Sequence, residues 1–153
     1  MDMILEQRIR QGRPFRSEQE RAAVNVLYSA TWILEHMRAF LADFGVTHQQ
    51  YNVLRILRGQ HPQSISTCDI RERMIDRASD ASRIVDRMIT KNLVRKAPSQ
   101  RDKRRIDVTI TEEGLALLEA IESAMERPDS VLRGLTESEC AQLNVLLDKM
   151  KTV

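Results

Sequence analysis

The spacing of apolar residues changes along this chain, and the change limits the folds available to it. Before Asn92, apolar residues recur every three or four positions, which is typical of helices. From Leu93 to Ala97, and again from Ile106 to Ile110, the period becomes two, which is typical of strands. After Thr111 the helical spacing returns. We therefore predict a mainly helical, α+β chain with one β-hairpin.

Capping residues predict where the helices begin. A long helix is predicted from Ser17 to Phe44, because Gly45 is the first Gly or Pro after its start. The caps and capping boxes expected to begin five further helices are Thr47 with Gln50, Ser66 with Asp69, Ser79, Thr111, and Thr136 with Glu139. The helix after Thr111 is expected to break near Pro128.

Positive charge is concentrated in one segment. Residues 71–105 hold twelve Lys and Arg against five Asp and Glu, whereas the rest of the chain holds twelve against seventeen. The formal net charge of +2 therefore hides one basic face. Because this charge falls on a short helix and on the hairpin tip from Gln100 to Arg105, we expect the face to bind duplex DNA. An ordinary solvated surface is the alternative.

The order of the elements predicts a winged helix-turn-helix flanked by long N- and C-terminal helices. The apolar stripes of the flanking helices exceed what one small winged domain can cover, so a helical homodimer would bury them. Helices that fold back on themselves are the alternative. We expect one domain over residues 1–153. Its terminal regions (1–45 and 115–153) would dimerise, and its central region (46–114) would bind DNA.

A longer stretch of sequence carries a family resemblance. Residues 102–111 read Asp-Lys-Arg-Arg-Ile-Asp-Val-Thr-Ile-Thr and resemble the wing signature D-x-R-x-x-x-V-x-L-T of the MarR family of bacterial transcriptional regulators. The resemblance continues over residues 47–118, with Asn92 where the family usually has Gly. Asn is the next best residue for the left-handed conformation that ends a helix. The resemblance implies a ligand-responsive repressor that binds a pseudo-palindromic operator as a homodimer.

The predicted third short helix, from Ser79 to Lys91, is the candidate recognition helix. Its core side should carry Ala81, Ile84, Val85 and Met88. The residues expected to face a major groove are Ser79, Asp80, Ser82, Arg83, Asp86 and Arg87. Arg83 or Arg87 can pair bidentately with guanine, which contributes about 1 to 3 kcal/mol of discrimination. For Arg87 the alternative is an intrahelical salt bridge.

The hairpin tip supplies the wing contacts. We expect Arg104 to enter the minor groove and Asp102 to fix that side chain through a charge-assisted hydrogen bond, a division of labour that the family resemblance also implies. Arg101, Lys103 and Arg105 would contact phosphates and make the affinity salt-dependent. A solvated hairpin tip without a DNA role is the alternative.

An effector site is harder to locate. Trp32, His36 and Phe40 lie four residues apart on the first long helix, and Tyr51 belongs to the next. A pocket there would accept a small aromatic or phenolic anion. Aromatic residues at helical spacing are more often core residues, so both interpretations stay open. Cys68 near a helix start is likewise either an oxidant-sensing or an inert thiol.

Other classes of protein lack support in the sequence. His36, His48 and His61 have no metal-ligand spacing, and there is no glycine-rich phosphate loop or nucleophile elbow. We expect no enzyme, cofactor or metal. The competing hypothesis is a winged-helix module that binds another protein through its basic face. Two cysteines without a disulfide framework, and the lack of a signal peptide or membrane-length apolar stretch, predict a cytoplasmic protein.

Overall fold

The computed structural model describes residues 4–99, 102, 104–125, 132 and 134–152. Within these residues the helices and strands follow in the order α1 (Leu5–Arg8), α2 (Glu18–Ala42), α3 (His48–Arg58), β1 (Ile65–Ser66), α4 (Thr67–Arg73), α5 (Ala81–Ile89), β2 (Val94–Pro98), β3 (Ile106–Ile110), α6 (Glu112–Ala124) and α7 (Glu137–Met150). The predicted mainly helical chain with a hairpin is confirmed. The break predicted near Pro128 lies outside the described residues.

The hydrophobic core lies in the central region, with α3 at its middle. Val53, Leu54 and Leu57 on α3 are 0–1% exposed and pack with the buried faces of α4, α5, α6 and the sheet. The other side chains below 2% exposure are Leu41, Ile70, Val85, Met88, Val94, Val108, Leu118 and Ile121. Burial of this apolar surface within a single chain stabilises the arrangement of these helices and the sheet.

The strands form a three-stranded antiparallel sheet in the order β1-β3-β2. The predicted hairpin joins β2 to β3 with Val94 opposite Ile110 and Pro98 opposite Ile106. Strand β1 was not predicted, because its two residues fall at the end of a loop in the sequence. It is defined by long-range pairing, with Ile65 opposite Val108. The sheet therefore ties the hairpin to the start of α4.

Most of the predicted helix caps are confirmed by hydrogen bonds. The side chains of Thr47, Ser66, Thr111 and Thr136 each accept from a backbone N–H three residues on. These bonds satisfy backbone donors that the first helical turn leaves unpaired. The sequence therefore specifies four of these helix starts locally.

The cap predicted at Ser79 is wrong. Asp80 caps α5 by accepting from the Arg83 backbone N–H at 3.1 Å. The Ser79 hydroxyl instead donates to Asp76 Oδ2 at 2.7 Å. Ser and Asp are both good caps, and the choice follows from Asp76, which already holds the Ser79 side chain. Helix α5 consequently runs over Ala81–Ile89 rather than from Ser79 to Lys91.

Two backbone positions fix the junction of α5, the hairpin and α6. Asn92 has the predicted left-handed conformation, with φ +56°. Its carbonyl accepts a hydrogen bond from Thr111 Oγ1 at 2.7 Å, at the start of α6. Gly114, one turn into α6, lies against the Leu93 carbonyl, and a Cβ added there would collide with that oxygen. The close approach explains why this position on α6 holds Gly.

The terminal helices bury little in the single chain. Among the 25 residues of α2, Leu41 is the buried one, and every residue of α7 retains solvent exposure. Leu27, Val145 and Leu146 are 69%, 66% and 63% exposed. The short helix α1 was not predicted. It packs on α2 through buried Leu5 and through an ion pair of 2.6 Å from Glu6 to Arg21.

None of the described helices combines the length and apolar character needed to cross a membrane.

Candidate nucleic-acid interface

Helix α5 presents one apolar face and one polar face, as the sequence predicted. Ala81, Val85 and Met88 are 0–3% exposed, and Ile84 packs partly buried against the same core. The four residues that project from the opposite side are exposed: Ser82, Arg83, Asp86 and Arg87. The core holds this helix rigidly and leaves a polar surface free to enter a groove.

The polar side chains of α5 differ in how they are held. Among the described residues, the guanidinium groups of Arg83 and Arg87 make no hydrogen bond or ion pair, so the intrahelical salt bridge considered for Arg87 is not formed there. Asp86 instead pairs with Lys96 on β2, with Asp86 Oδ1 2.6 Å from Lys96 Nζ. That pair neutralises the carboxylate on the face where a polyanion would bind, and it joins α5 to the hairpin.

Helix α4 and the loop before α5 add two basic residues, Arg71 and Arg77, that the sequence interpretation did not include among the site residues. A cleft between α4 and the start of α5 is lined by Thr67, Cys68, Arg71, Arg77, Ser79 and Ser82, among others. Hydrogen bonds from the Ser79 hydroxyl and the Ala78 N–H hold the pKa of Asp76 below its ordinary value and fix the loop that carries Arg77. The charge count over residues 71–105 already contained the signal, since it includes Arg71 and Arg77.

The wing turn is organised by Asp102, though not in the predicted way. Asp102 Oδ1 accepts from the backbone N–H of Arg104 at 3.0 Å, not from its guanidinium. The predicted side-chain contact is therefore wrong. An Asp side chain commonly bonds the backbone two residues on, and this short-range contact closes the turn. The side chain of Arg104 is exposed. The predicted contacts Arg101 and Lys103 lie outside the described residues.

Arg105 points back toward α4. Its Nη2 donates to Ser66 Oγ at 2.7 Å and lies 3.4 Å from Asp69 Oδ2. Ser66 and Asp69 also form the capping box of α4. The hydrogen bond from the Ser66 hydroxyl, with a smaller contribution from Arg105, holds the pKa of Asp69 below its ordinary value. The structure therefore engages Arg105 within the protein, while its predicted phosphate contact stays untested.

The four predicted effector residues fall into separate contacts in the single chain. Trp32 and His36 have ring centroids 4.3 Å apart, and Phe40 lies 5.4 Å from Phe44. The Tyr51 side chain is buried, and its hydroxyl donates to the sulfur of Met125 at 3.6 Å. Trp32 lines a cleft between α1 and α2, away from that hydrogen bond. The grouping of the four around one pocket stays a prediction.

The two cysteines are free thiols, Cys68 exposed and Cys140 half-buried. Over the described parts of the chain, no three His, Cys, Asp or Glu side chains are grouped so that they could hold a metal ion.

Comparison with known proteins agrees with this geometry. A family model described as the MarR family matches residues 44–105, which contain α3, the helix-turn-helix and the first hairpin strand β2. The HTH-type transcriptional repressor IacR of Pseudomonas putida is 34% identical over 115 residues, which cover 74% of this chain and 68% of that protein. The HTH-type transcriptional regulator PecS of Dickeya dadantii is 24% identical over 112 residues, or 72% of this chain and 68% of its own length.

Solved structures show the same fold. A MarR variant from Escherichia coli, crystallised with operator DNA, superposes with a TM-score of 0.78 at 22% identity and covers 91% of this chain and 99% of its own. Bordetella bronchiseptica BpsR gives a TM-score of 0.76 at 24% identity, with coverages of 92% and 99%. The level of identity to IacR, over two thirds of its length, establishes the relationship that the wing signature indicated. This chain therefore belongs to the MarR family, and it is a DNA-binding transcriptional regulator rather than an enzyme.

Proposed function

We propose that the protein acts as a homodimeric, ligand-responsive repressor that binds a pseudo-palindromic operator. The observation that carries this proposal is the outer face of α5. Exposed Arg83 and Arg87, free of protein partners among the described residues, project from a helix whose opposite face is buried in the core. Unpaired arginines on a rigid helix can pair with guanine O6 and N7 without first breaking an internal contact.

The recognition surface divides into groove and backbone contacts. Arg83 and Arg87 read bases in the major groove, while Ser79 and Ser82 at the start of the helix contact phosphates or bases. Asp80, whose side chain caps α5, fixes the first turn from which these residues project. Each bidentate arginine contact would contribute about 1 to 3 kcal/mol of discrimination.

The wing completes the site. Exposed Arg104 enters the minor groove, where the potential of a narrow groove is most negative. Asp102 shapes the turn that presents it, through the backbone N–H of Arg104. Arg101 and Lys103, placed by sequence alone, supply phosphate contacts and salt-dependent affinity.

The terminal regions supply the dimer. Helices α2 and α7 expose Leu27, Val145 and Leu146, which a second copy would cover. Two-fold symmetry then places two α5 helices for half-sites about 34 to 36 Å apart, one turn of duplex. The central region, residues 46–114, serves as the DNA-binding part of each subunit. Because it acts on the chromosome, we propose that the protein works in the cytoplasm.

The effector we propose is a small aromatic or phenolic acid that binds near Trp32, His36, Phe40 and Tyr51. The structure of BpsR concerns regulation of DNA binding by 6-hydroxynicotinic acid, which supports an effector of this class. The ligand would prefer a dimer whose recognition helices no longer match the groove spacing, and linkage then requires DNA to weaken ligand binding equally. A coupling of about 1 to 3 kcal/mol gives a five- to 150-fold loss of operator affinity.

A phenolic panel tests the effector site. Compounds that raise the melting temperature of the wild type should lose that effect in Trp32→Ala. If no compound shifts the wild type, or if the shift persists unchanged in the variant, the pocket assignment is wrong.

Selection of the bound sequence from random duplexes tests the function itself. We expect a pseudo-palindromic site, bound by a dimer with an affinity that falls steeply as salt rises. Sedimentation that shows a monomer at micromolar concentration, still binding one half-site, would contradict the dimer. Binding without sequence preference would favour instead a module that docks on another protein through its basic face.

A further inference from the structure

One arginine at the base of the wing contacts the start of α4, the first helix of the helix-turn-helix. Arg105 Nη2 donates to Ser66 Oγ at 2.7 Å, and the same nitrogen lies 3.4 Å from Asp69 Oδ2. The two partners stand 39 and 36 residues away in sequence. Ser66 is 5% exposed, so Arg105 reaches a position fixed by the core.

Backbone hydrogen bonds connect Arg105 to the rest of the wing. Its carbonyl accepts from the Ser99 N–H at 2.9 Å, across the base of the tip, and its own N–H donates to the Asp102 carbonyl at 2.8 Å. Arg104 is the preceding residue, and its N–H is held by the Asp102 carboxylate at 3.0 Å. A displacement of Arg105 would therefore change the direction in which Arg104 leaves the turn.

Strand β3 also contacts the segment that leads into α4. Strand β1 pairs with β3 through Ser66 opposite Asp107, and Ser64 Oγ donates to Asp107 Oδ2 at 3.2 Å. The hairpin thus meets the start of α4 through backbone pairing, through Asp107 and through Arg105. Of these contacts, the Arg105 side chain is the one nearest the tip, where a minor-groove contact is most sensitive to angle.

From these contacts we propose that Arg105 is a positioning residue for DNA binding: it holds the wing on the Ser66–Asp69 start of α4 and so aims Arg104 at the minor groove. It is not one of the phosphate contacts. The inference rests on the proposed function, since it concerns how that site is aimed. Asp69 would then support DNA binding as well. Its carboxylate lies near the DNA surface, but it would favour binding by orienting the wing.

A direct phosphate contact by Arg105 predicts different results from a positioning role, so the two roles can be distinguished by experiment. If Arg105 contacts a phosphate, Arg105→Ala lowers the slope of log affinity against log salt by about one unit. Asp69→Asn then raises affinity, because it removes a negative charge near the polyanion. If Arg105 instead positions the wing, Asp69→Asn weakens binding rather than strengthening it. Arg105→Ala then leaves the salt slope unchanged, because the number of neutralised phosphates stays the same.

The experiment measures fluorescence anisotropy of the duplex that the wild-type chain selects from random sequences, over a range of salt concentrations. We expect Arg105→Ala and Asp69→Asn each to weaken binding by about five- to tenfold, with the double variant no worse than either, because contacting residues act as a unit. Arg105→Lys should restore part of the loss, since an ammonium can still pair with Asp69. Equal melting temperatures must show that each variant is folded.

A matched charge control comes from the same hairpin. Arg95→Ala, at an exposed position on β2, removes an equal charge from a side chain with no ion pair among the residues described, so it measures the general electrostatic loss. A slope that falls for Arg105→Ala, or an affinity gain for Asp69→Asn, would overturn the positioning role. If the wild type selects no sequence, the proposed function fails instead, and the two failures are thereby distinguished.

Discussion

The central region and the terminal regions of this chain differ in how much of their apolar surface is buried within one chain. In the central region, 11-residue α3 buries five of its residues against neighbouring helices and the sheet. In the terminal regions, 25-residue α2 buries Leu41, and α7 keeps all its residues at least partly exposed. The core around the central region is therefore completed within one chain, with contributions from Leu41 on α2 and from Leu118 and Ile121 on α6. The terminal helices leave apolar surface exposed, and the proposed dimer would cover it.

The difference separates what each region contributes. A self-contained core holds α5 and the hairpin rigid, which DNA reading requires. In the proposed dimer, the exposed terminal helices would set the spacing between two such units. Stability and half-site spacing can then respond to different substitutions.

The largest effect is expected from Gly114→Ala, within the central core. The added Cβ would collide with the Leu93 carbonyl oxygen and lie 2.8 Å from Ile110 Cγ1, so backbone of the α5–β2 junction must move. We expect a loss of about 3 kcal/mol in the free energy of unfolding, measured by urea denaturation.

Gly134→Ala is the matched control in the terminal region. A Cβ at Gly134 would meet no atom within 4 Å, so its unfolding midpoint should match the wild type. Equal stability of the two variants would mean that the junction of β2 and α6 is not tightly packed.

The second prediction breaks the terminal regions and spares the core. Leu146→Glu places a charge on the exposed apolar face of α7, where a partner chain would bury it at high cost. The dimer should dissociate at micromolar concentration in sedimentation. Affinity for a two-half-site duplex should then fall by about 100-fold or more, because avidity is lost.

Asn144→Glu introduces the same charge on the polar side of the same exposed helix and should preserve the dimer. A Leu146→Glu protein that remains dimeric would place the interface elsewhere.

The sequence anticipated most of the central region because its signals are local. Capping boxes such as Thr47 with Gln50 act within three residues, and Asn92 in a left-handed conformation ends the α5 segment. Strand β1 was missed because two residues carry no periodicity, and its existence depends on pairing with β3 more than forty residues later. The wrong cap at Ser79 has the same origin, since Asp76 captures that hydroxyl only once the loop has folded.

The candidate site was predicted in outline and not in its contacts. The helical spacing of apolar residues on α5 correctly separated buried Val85 and Met88 from exposed Arg83 and Arg87. The charge pattern of the wing does not predict that the Arg105 side chain points toward Asp69, because that contact joins residues 36 positions apart in the sequence. Charge patterns identify a basic face, whereas tertiary contacts decide which of its arginines are free to bind.

A third substitution tests the wing tip without altering the core or the terminal helices. Arg104→Ala should weaken DNA binding by about tenfold, equivalent to roughly 1.4 kcal/mol, while helical content and melting temperature stay nearly unchanged. The side chain of Arg104 is exposed, so its removal should cost the fold little buried surface. Unaltered affinity would remove Arg104 from the site.

Asp102→Ala should weaken binding less than Arg104→Ala. It releases the backbone N–H of Arg104 from the carboxylate and lets the turn sample other conformations. A gain in affinity would mean that removing the negative charge outweighs its orienting effect.

The smallest effect concerns the ion pair that joins the two regions. Arg58 on α3 donates twice to the Glu122 carboxylate on α6, at 2.5 and 2.7 Å, across the boundary between the central region and the C-terminal one. These hydrogen bonds hold the pKa of Glu122 below its ordinary value of 4.5. Since both side chains are about 40% exposed, water screens the pair, and its contribution is about 0.5 kcal/mol.

The pH dependence follows from the direction of that pKa shift. Because the folded-state pKa is lowered, the pair stabilises the protein fully above the unfolded pKa, and that stability is lost as pH falls through the folded value. Glu122→Gln should therefore be slightly less stable than the wild type at pH 7, and the difference should shrink as the pH falls below the ordinary value of 4.5 and through the folded-state pKa. Glu119→Gln, on an exposed position of the same helix without an ion pair among the described residues, is the control for urea denaturation at each pH. A difference that stays constant down to pH 3 would show that Glu122 links the regions by packing and not through its charge.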